Sequence, residues 1–329
     1  MRVQAGLAAL LAALVMLVAA CGGDDDDNAA QAPSGGGGVT KVKVGTLPIA
    51  NAAPMYLGMR KGFFKEEGIE LEPQMAQSGN ELITALVSGD SQVAFLGYVP
   101  TIVAKSKGLP VKVVVNADNG ADTADKEWQV ILSKKGSPIR KPADLKGKTV
   151  AVNALKGVAE VGLKASLEKE GVDPNSVKLL EVPFPEMPAA LEAGRVDAIW
   201  APEPFLSAVL AKGGQEVLAP YISLGKHWPN GTYATSERYL QEHEKVIEGF
   251  ARAMNRSTQY ATEHPDEARA TIPTFTQIPP EVAKKIRLPV WLTEIDRAQL
   301  EQVVKDTQKY GVIDKPVNLD ELIWEGATK

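Results

Sequence analysis

The single cysteine, Cys21, has the most specific chemical setting in the chain. An apolar run from Ala5 to Ala20 follows the charged Arg2, and the small residues Val18-Ala19-Ala20 stand directly before the cysteine. This order is typical of a secretory signal peptide. A free catalytic thiol is the alternative, but it needs an electropositive setting that this segment does not offer. We therefore expect residues 1–20 to be a lipoprotein signal peptide, and Cys21 to be lipidated and to anchor the protein to the membrane.

The segment after Cys21 is polar and rich in glycine. It contains consecutive aspartates from Asp24 to Asp27 and consecutive glycines from Gly35 to Gly38. The aspartates could suggest a cation site, but without a fixed ligand geometry a solvated spacer explains them better. Residues 21–40 are therefore expected to form a flexible tether, and no metal site is predicted.

Residues at the predicted carboxyl ends of strands are the candidates for binding a small molecule. In open parallel α/β sheets, ligands bind where strands end and loops lead into helix N-termini. The predicted ligand-binding residues are Asn51, Ser78, Tyr98, Asn116, Asn153, Lys156, Trp200 and Glu203.

The uncharged candidates each have a structural alternative. Tyr98 follows Gly97 in a predicted loop, where its ring could stack on a flat ligand and its hydroxyl could form a hydrogen bond. Trp200 ends an apolar strand, so a core position and a pocket wall are equally good interpretations. Asn51 and Asn153 could bind a ligand or simply turn the chain.

The two charged candidates favour ligands of opposite charge. Lys156 precedes a predicted helix from Val158 to Glu170, and its ammonium group and the helix N-terminus could together bind an anion. A solvated lysine is an equal alternative. Glu203, between Pro202 and Pro204, would favour a cationic or hydrogen-bond-donating ligand, or it could cap the following helix. No arginine falls in the predicted loops that carry these candidates. A bidentate arginine contact to a sulfonate or phosphate is therefore not predicted.

Sequence motifs of common enzymes are absent. The chain has no G-x-S-x-G, H-E-x-x-H, G-x-G-x-x-G or C-x-x-C motif. Its histidines, His227, His243 and His264, lack the spacing of paired metal ligands. The formal net charge of −5 argues against a general nucleic-acid binder. We therefore predict no catalytic residue, no cofactor and no enzymatic activity.

Strand-like and helix-like segments alternate from Lys41 onwards, which predicts parallel α/β sheets. A group of elements then recurs after about 105 residues, as expected of an internal repeat. Ala85-Leu86 with Gly89 corresponds to Ala190-Leu191 with Gly194, and an apolar strand follows each group. The spacing predicts two similar lobes.

The predicted domain organisation follows from this repeat. Residues 41–128 and 230–329 are expected to form lobe I, and residues 129–229 are expected to form lobe II. The chain would leave lobe I near Glu127 to Leu132 and return near Gly231 to Thr235. Two crossing segments would then form a hinge.

Several segments together resemble a known family: Gly45 to Ala53, Tyr56 to Phe64, Leu82 to Gly89, Ser137 to Arg140 and Asp144 to Lys148. They are similar to the periplasmic binding proteins for nitrate, alkanesulfonates, taurine and thiamine-pyrimidine precursors. The resemblance implies a type II two-lobed fold that closes on a solute and presents it to a membrane permease. It also implies that four of the candidates lie in loops lining the cleft: Tyr98, Asn116, Asn153 and Trp200.

The expected function is therefore that of an extracytoplasmic, lipid-anchored and monomeric solute-binding lipoprotein of an ABC importer. The solute would be a small polar organic molecule of the nitrate, sulfonate, taurine or pyrimidine class, with a planar molecule favoured over a sulfonate. The alternative is a ligand-binding sensor lipoprotein that docks on a signalling receptor.

Overall fold

The computed structural model describes residues 38–328 of the chain, whose strands form two five-stranded sheets. In chain order the strands are β1 (Thr40–Thr46), β2 (Ile69–Met75), β3 (Val93–Gly97), β4 (Val111–Asn119), β5 (Gln129–Ser133), β6 (Thr149–Val152), β7 (Lys178–Glu181), β8 (Ala198–Pro202), β9 (Gln215–Leu218) and β10 (Pro229–Ser236).

Helices connect most of these strands. The α-helices are α1 (Ala53–Lys61), α2 (Phe63–Glu66), α3 (Gly79–Ser88), α4 (Tyr98–Ser106), α5 (Val158–Lys169), α6 (Met187–Glu192), α7 (Phe205–Ala211), α8 (Pro220–Leu224), α9 (Glu237–Glu242), α10 (Glu244–Glu263), α11 (Pro265–Thr271), α12 (Pro280–Ala283), α13 (Arg297–Lys309) and α14 (Leu319–Leu322). Short 3₁₀ helices span Ala50–Ala52, Ala124–Lys126, Pro142–Leu145, Phe184–Glu186, Ile272–Thr274 and Glu325–Thr328. Among the helices of residues 38–328, none is long and apolar enough to cross a membrane.

The two sheets have the same topology. The first has the strand order β2-β1-β3-β10-β4, and the second has the order β7-β6-β8-β5-β9. In the first sheet β10 runs antiparallel to both of its neighbours, and in the second sheet β5 does the same. The neighbours on the other side, β2-β1-β3 and β7-β6-β8, pair in parallel. The predicted α/β fold of two mostly parallel sheets flanked by helices is confirmed.

The repeat extends to individual hydrogen bonds. In the first sheet, the Gln92 N–H donates to Lys43 O at 3.0 Å, and Gln92 Oε1 accepts from the Lys43 N–H at 2.8 Å. In the second sheet, the Asp197 N–H donates to Thr149 O at 2.9 Å, and Asp197 Oδ2 accepts from the Thr149 N–H at 2.9 Å. The two sheets therefore share one local plan, with an amide oxygen in one and a carboxylate oxygen in the other.

The chain passes between the sheets twice. The first connection runs from Asn119, at the end of β4, to Gln129, at the start of β5; the second runs from Leu218 to Pro229. The predicted return near Gly231 to Thr235 is therefore too late, because those residues already pair with both neighbours inside β10. The lobe boundaries at residues 128/129 and 229/230 remain a proposal.

The C-terminal part of the chain packs against the first sheet through the long helix α10. Its contact with α1 depends on Gly58, since a Cβ at this position would lie 1.8 Å from Ser257 Oγ. On the same side, the Phe64 and Phe250 rings lie 5.8 Å apart. Helix α10 therefore packs against α1 and α2, the helices that follow β1.

Candidate functional site

A cavity of about 60 Å³ lies between the two sheets, where the parallel strands β1, β3 and β6 end and the antiparallel strands β5 and β10 begin. Segments of both sheets contribute to its wall. The lining residues are Leu47, Ile49, Asn51, Gly79, Leu82, Phe95, Leu96, Gly97, Pro100, Gln129, Asn153, Ala154, Gly157, Val158, Phe184 and Asn230. None of these side chains is charged.

Most of the wall is apolar. Phe184 is buried and stacks on Phe205 with ring centroids 6.2 Å apart and an interplanar angle of 17°. Leu82 and Phe95 lie on the side of the first sheet, and both are buried. Apolar walls with a few polar groups are characteristic of sites for small organic molecules.

Two asparagines from different sheets supply free polar atoms. Asn51, in the 3₁₀ helix after β1, is only 2% exposed, and neither its Nδ2 nor its Oδ1 forms a hydrogen bond of regular geometry among the described residues, although its amide lies close enough to Asp118 to lower the pKa of that carboxyl group. Asn153, directly after β6, is half-buried, and within residues 38–328 its side chain forms no hydrogen bond. A buried polar atom without a partner costs roughly 1–3 kcal/mol. A bound solute or water that bonds to these amides would remove that cost.

A chain of hydrogen bonds runs behind the wall and joins both crossings. The Asn230 Nδ2 amine donates to Asp118 Oδ1, and Asn230 Oδ1 accepts from the Tyr221 hydroxyl. The same hydroxyl lies 2.9 Å from Gln129 Oε1. Because a hydroxyl has one hydrogen, Tyr221 donates to only one of these two oxygens at a time. The chain therefore links a polar residue of β4 and one of β10 to the first residue of β5.

Asp118 lies behind this wall, where its Oδ1 accepts from the lining residue Asn230. It is fully buried, and its Oδ2 has no hydrogen-bond partner among the described residues. Burial raises the pKa of Asp118 to about 6, and the side-chain amides of Asn230 and Asn51 oppose that shift. A Cβ on Gly231 would lie 2.2 Å from Oδ2, so a glycine is needed where β10 passes this carboxyl group.

Glu127 is a second buried carboxyl group in the first crossing. Burial raises its pKa to about 7, although the backbone N–H groups of Ala121 and Trp128 donate to it, both at 3.0 Å. The charge of Asp118 adds to the increase. Both crossing-region carboxyl groups are therefore costly to ionise.

Side-chain contacts outside the cavity lining join the parts of the chain that carry the first and the second sheet. In one contact, Asn80 Nδ2 lies 3.3 Å from a carboxylate oxygen of Glu181. In another, the Arg287 guanidinium group donates to both carboxylate oxygens of Glu216, at 2.6 and 3.1 Å, and its backbone N–H donates to Glu203 Oε1 at 3.1 Å. These contacts hold the two sheets close together.

Of the predicted site residues, the structure brings Asn51 and Asn153 together at the cavity. Tyr98 and Asn116 do not line it. Tyr98 is the first residue of α4 and is fully buried, and its hydroxyl donates to Asn116 Oδ1 at 3.0 Å. Asn116 lies within β4 and donates to Leu292 O at 2.7 Å. The structure gives these two residues a place in the core.

The side chains of Trp200 and Glu203 contact other residues of the protein and do not line the cavity. Trp200 is fully buried in β8, and its ring meets Tyr221 edge-on with centroids 5.5 Å apart. Glu203 accepts from Ser207 Oγ at 2.8 Å and from the Ser207 N–H at 3.1 Å, which is the capping alternative noted from the sequence. Burial raises the pKa of Glu203.

Ser78 and Lys156 lie at helix N-termini, outside the cavity lining. Ser78 Oγ accepts from the Glu81 N–H at 3.3 Å, so Ser78 is the N-cap of α3. Lys156 is exposed and has a left-handed backbone with φ of 57°, and its N–H donates to Glu160 at 3.0 Å. Ligand binding by the eight residues remains a prediction, and the geometry favours it for Asn51 and Asn153.

Sequence reasoning does not identify three residues of the site: Gln129, Tyr221 and Asn230. Gln129 is the first residue of β5, and Asn230 is the second residue of β10. These are the strands that follow the two crossings. An antiparallel strand begins at the edge where its parallel neighbours end, so polar residues at its start face the same cavity. Polar residues directly after a predicted crossing are therefore the signal that could have identified them.

A family model described as NMT1/THI5 like matches residues 49–268. The chain belongs to the NMT1/THI5-like family. Its sequence is 29% identical over 207 residues to the taurine-binding periplasmic protein of Escherichia coli K12, covering 62% of this chain and 61% of that protein. It is 28% identical over 220 residues to the formylaminopyrimidine-binding protein of Halalkalibacterium halodurans, covering 65% and 63%. The chain thus spans about three fifths of the length of these two curated relatives.

The NMT1/THI5-like chain also has the fold of a solved two-lobed binding protein. The ligand-binding component of an ABC-type import system from Staphylococcus aureus superimposes with a TM-score of 0.77 at 16% sequence identity. The superposition covers 87% of this chain and 97% of that structure. The similarity establishes the fold, and the predicted periplasmic-binding-protein architecture is confirmed.

Proposed function

We propose that this protein is the extracytoplasmic solute-binding component of an ABC importer, and that it encloses a small polar organic solute between its two sheets. The main supporting observation is the cavity lined by both sheets, into which Asn51 brings two buried polar atoms that form no hydrogen bond of regular geometry among the described residues. A solute bonded to Asn51 and Asn153 would connect the two lobes and favour the closed state.

The relatives support transport more than the signalling alternative. Two are named as binding proteins, for taurine and for formylaminopyrimidine, and the similar structure is a component of an import system. The composition of the cavity agrees with binding without chemistry, because its polar side chains are amides that neither attack a substrate nor transfer protons readily. The nitrate, sulfonate, taurine or pyrimidine class of solute remains part of this proposal.

Closure would follow from hinge motion at the two crossings. Opening the cleft would break the contact between Asn80 and Glu181, which lies at the edge of the cavity. Closing it on a solute would remove water and strengthen the polar contacts to the amides. The closed form would then be the one presented to the permease.

The proposal includes membrane attachment through Cys21, with residues 1–20 removed and residues 21–40 acting as a tether. The signal peptide, Cys21 and the tether up to residue 37 lie outside the described residues and rest on the sequence. Because Thr40 already begins β1, the tether would end before this residue. The protein would act as a monomer, whose partners are the solute and the membrane permease of the importer.

The proposal can be tested by identifying a retained solute. The full chain, purified in detergent, is incubated with a bacterial metabolite extract, separated from free small molecules and analysed by mass spectrometry after denaturation. We expect one small solute at about one molecule per chain. A double variant with Asn51→Leu and Asn153→Leu should lose it, whereas Asn175→Leu, at an exposed asparagine without a side-chain hydrogen bond among the described residues, should retain it.

Two outcomes would contradict the proposal. If no solute is retained by the parent protein, binding in the cavity is refuted. If the solute recovered from the protein is chemically altered, the protein is an enzyme and not only a binding protein.

A further inference from the structure

Asn51 has a geometry suited to one type of ligand edge. Its amide has an acceptor oxygen and a donor nitrogen side by side, and within residues 38–328 the oxygen forms no hydrogen bond, while the nitrogen interacts only with Asp118 and forms no hydrogen bond of regular geometry. The nitrogen has two hydrogens, so one can point towards Asp118 while the other points into the cavity. The remaining hydrogen and the oxygen then match a ligand group that has a carbonyl and an N–H next to each other.

The Asp118 carboxylate disfavours binding of an anion in this part of the site. Asp118 is fully buried, and its Oδ2 forms no hydrogen bond of regular geometry among the described residues. The amides of Asn230 and Asn51 lower the carboxyl pKa, but no cationic group contributes to it. With its pKa raised to about 6, the carboxyl group is mostly ionised at pH 7.5. The lining adds no lysine, arginine or histidine that could offset the negative charge. In a buried setting, like charges repel more strongly than in water.

The N-terminus of α5 provides N–H donors to a carbonyl or ring acceptor of a ligand. Gly157 is the N-cap of the twelve-residue helix α5, and no side chain caps this helix. Gly157 and Val158 line the cavity together with Asn153. The first N–H groups of an α-helix have no partner inside the helix, so the N-terminus of α5 can donate to a neutral acceptor as well as to an anion. The choice between a neutral ligand and an anion therefore depends on Asp118 and Asn51.

We propose that the cavity selects uncharged solutes that present an amide-like edge, a C=O beside an N–H, to Asn51, and that Asp118 excludes anions of the same shape. This inference rests on the proposed solute-binding function and specifies its ligand class. Asn51 is the residue that binds the edge, and Asp118 is the residue that sets the charge preference.

Pairs of small molecules with similar shape and different charge test this directly. The probes are urea against nitrate, acetamide against acetate, and nicotinamide against nicotinate. Binding of each to the full chain is measured by isothermal titration calorimetry at pH 7.5, after bound solute has been removed. We expect at least one neutral probe to bind, at least tenfold more tightly than its anionic partner.

Two variants separate the roles of the residues. Asp118→Asn should reduce the neutral-to-anion ratio of dissociation constants to within about threefold, because the charge is lost while the shape is kept. Asn51→Leu should weaken the neutral probe at least tenfold. Its melting temperature should not fall at pH 5, where Asp118 is mostly protonated and the substitution replaces a buried amide that forms no regular hydrogen bond by an apolar side chain of similar size.

The outcomes distinguish this inference from the proposed function. Tighter binding of an anion by the parent protein, or a ratio that Asp118→Asn leaves unchanged, would overturn the inference and leave solute binding established. If none of the six probes binds in calorimetry, the inference is also overturned. The retained-solute experiment tests the proposed function separately.

Discussion

Replacing Asp118 by asparagine should make the ligand-free protein more stable at neutral pH. The carboxyl pKa is about 6 in the folded protein, against an ordinary value of 3.8, because Asp118 is fully buried. A difference of about 2 units at about 1.4 kcal/mol per unit corresponds to a destabilisation of about 3 kcal/mol when the group is ionised. Asparagine removes the charge and keeps an oxygen that can accept from Asn230.

The pH dependence follows from the direction of this shift. Between about pH 4 and pH 6, the folded protein binds the Asp118 proton more tightly than the unfolded chain does, so this group makes wild-type stability fall as pH rises. Below about pH 4 both states are protonated, and the variant should resemble wild type. The stability advantage of Asp118→Asn should therefore increase from near zero at pH 4 to about 3 kcal/mol above pH 7.

Denaturant unfolding followed by tryptophan fluorescence measures this advantage at pH 4.5, 5.5, 6.5 and 7.5. Several tryptophans, among them Trp128, Trp200 and Trp228, are buried and will report on unfolding. The matched control is Asp314→Asn, at an exposed aspartate whose carboxylate has no partner among the described residues, and it should change stability little at any of these pH values.

Two results would refute the reasoning about Asp118. A stability difference that does not vary with pH would mean that the carboxyl group has an ordinary pKa. A loss of stability in the variant at pH 7.5 would mean that the ionised carboxylate has favourable partners that offset its burial.

Further predictions follow from single side chains. Trp200→Ala should cost about 3–5 kcal/mol in unfolding free energy through the cavity it creates, and a smaller cost would show that the ring is not part of the core. Ser78→Ala should cost about 1 kcal/mol through loss of the α3 cap and leave solute affinity unchanged in calorimetry, so a loss of affinity would restore Ser78 to the site. Arg287→Ala removes the bond to Glu216 and should increase the radius of gyration of the ligand-free protein in X-ray scattering; an unchanged radius would show that the bond does not hold the closed arrangement.

The sequence was sufficient to predict where the strands end and therefore where Asn51 and Asn153 lie. Both follow predicted parallel strands, and both line the cavity. For Tyr98, the preceding Gly97 predicts a loop. Instead α4 begins at Tyr98, with Pro100 in its first turn, a position that proline tolerates. A residue in the first turn of a helix can face the core, and Tyr98 does so.

The Asp118 and Asn230 pair could not be found from local patterns. These residues are separated by more than a hundred positions and are brought together because β10 inserts beside β4, where Gly231 pairs with Asp118. Neither strand shows a local sign of that register. The choice of strand neighbours is determined by long-range packing, which a single sequence does not display.

The insertion of β10 between β3 and β4 also has a consequence for the order of folding. All strands of the second sheet lie between residues 129 and 218, so this sheet can assemble from a continuous stretch of chain. The first sheet lacks the strand that joins β3 to β4 until residues 229–236 are present. Pairings between distant residues form slowly. The second sheet should therefore gain amide protection first in pulse-labelled hydrogen exchange, and simultaneous protection of both sheets would disprove this order.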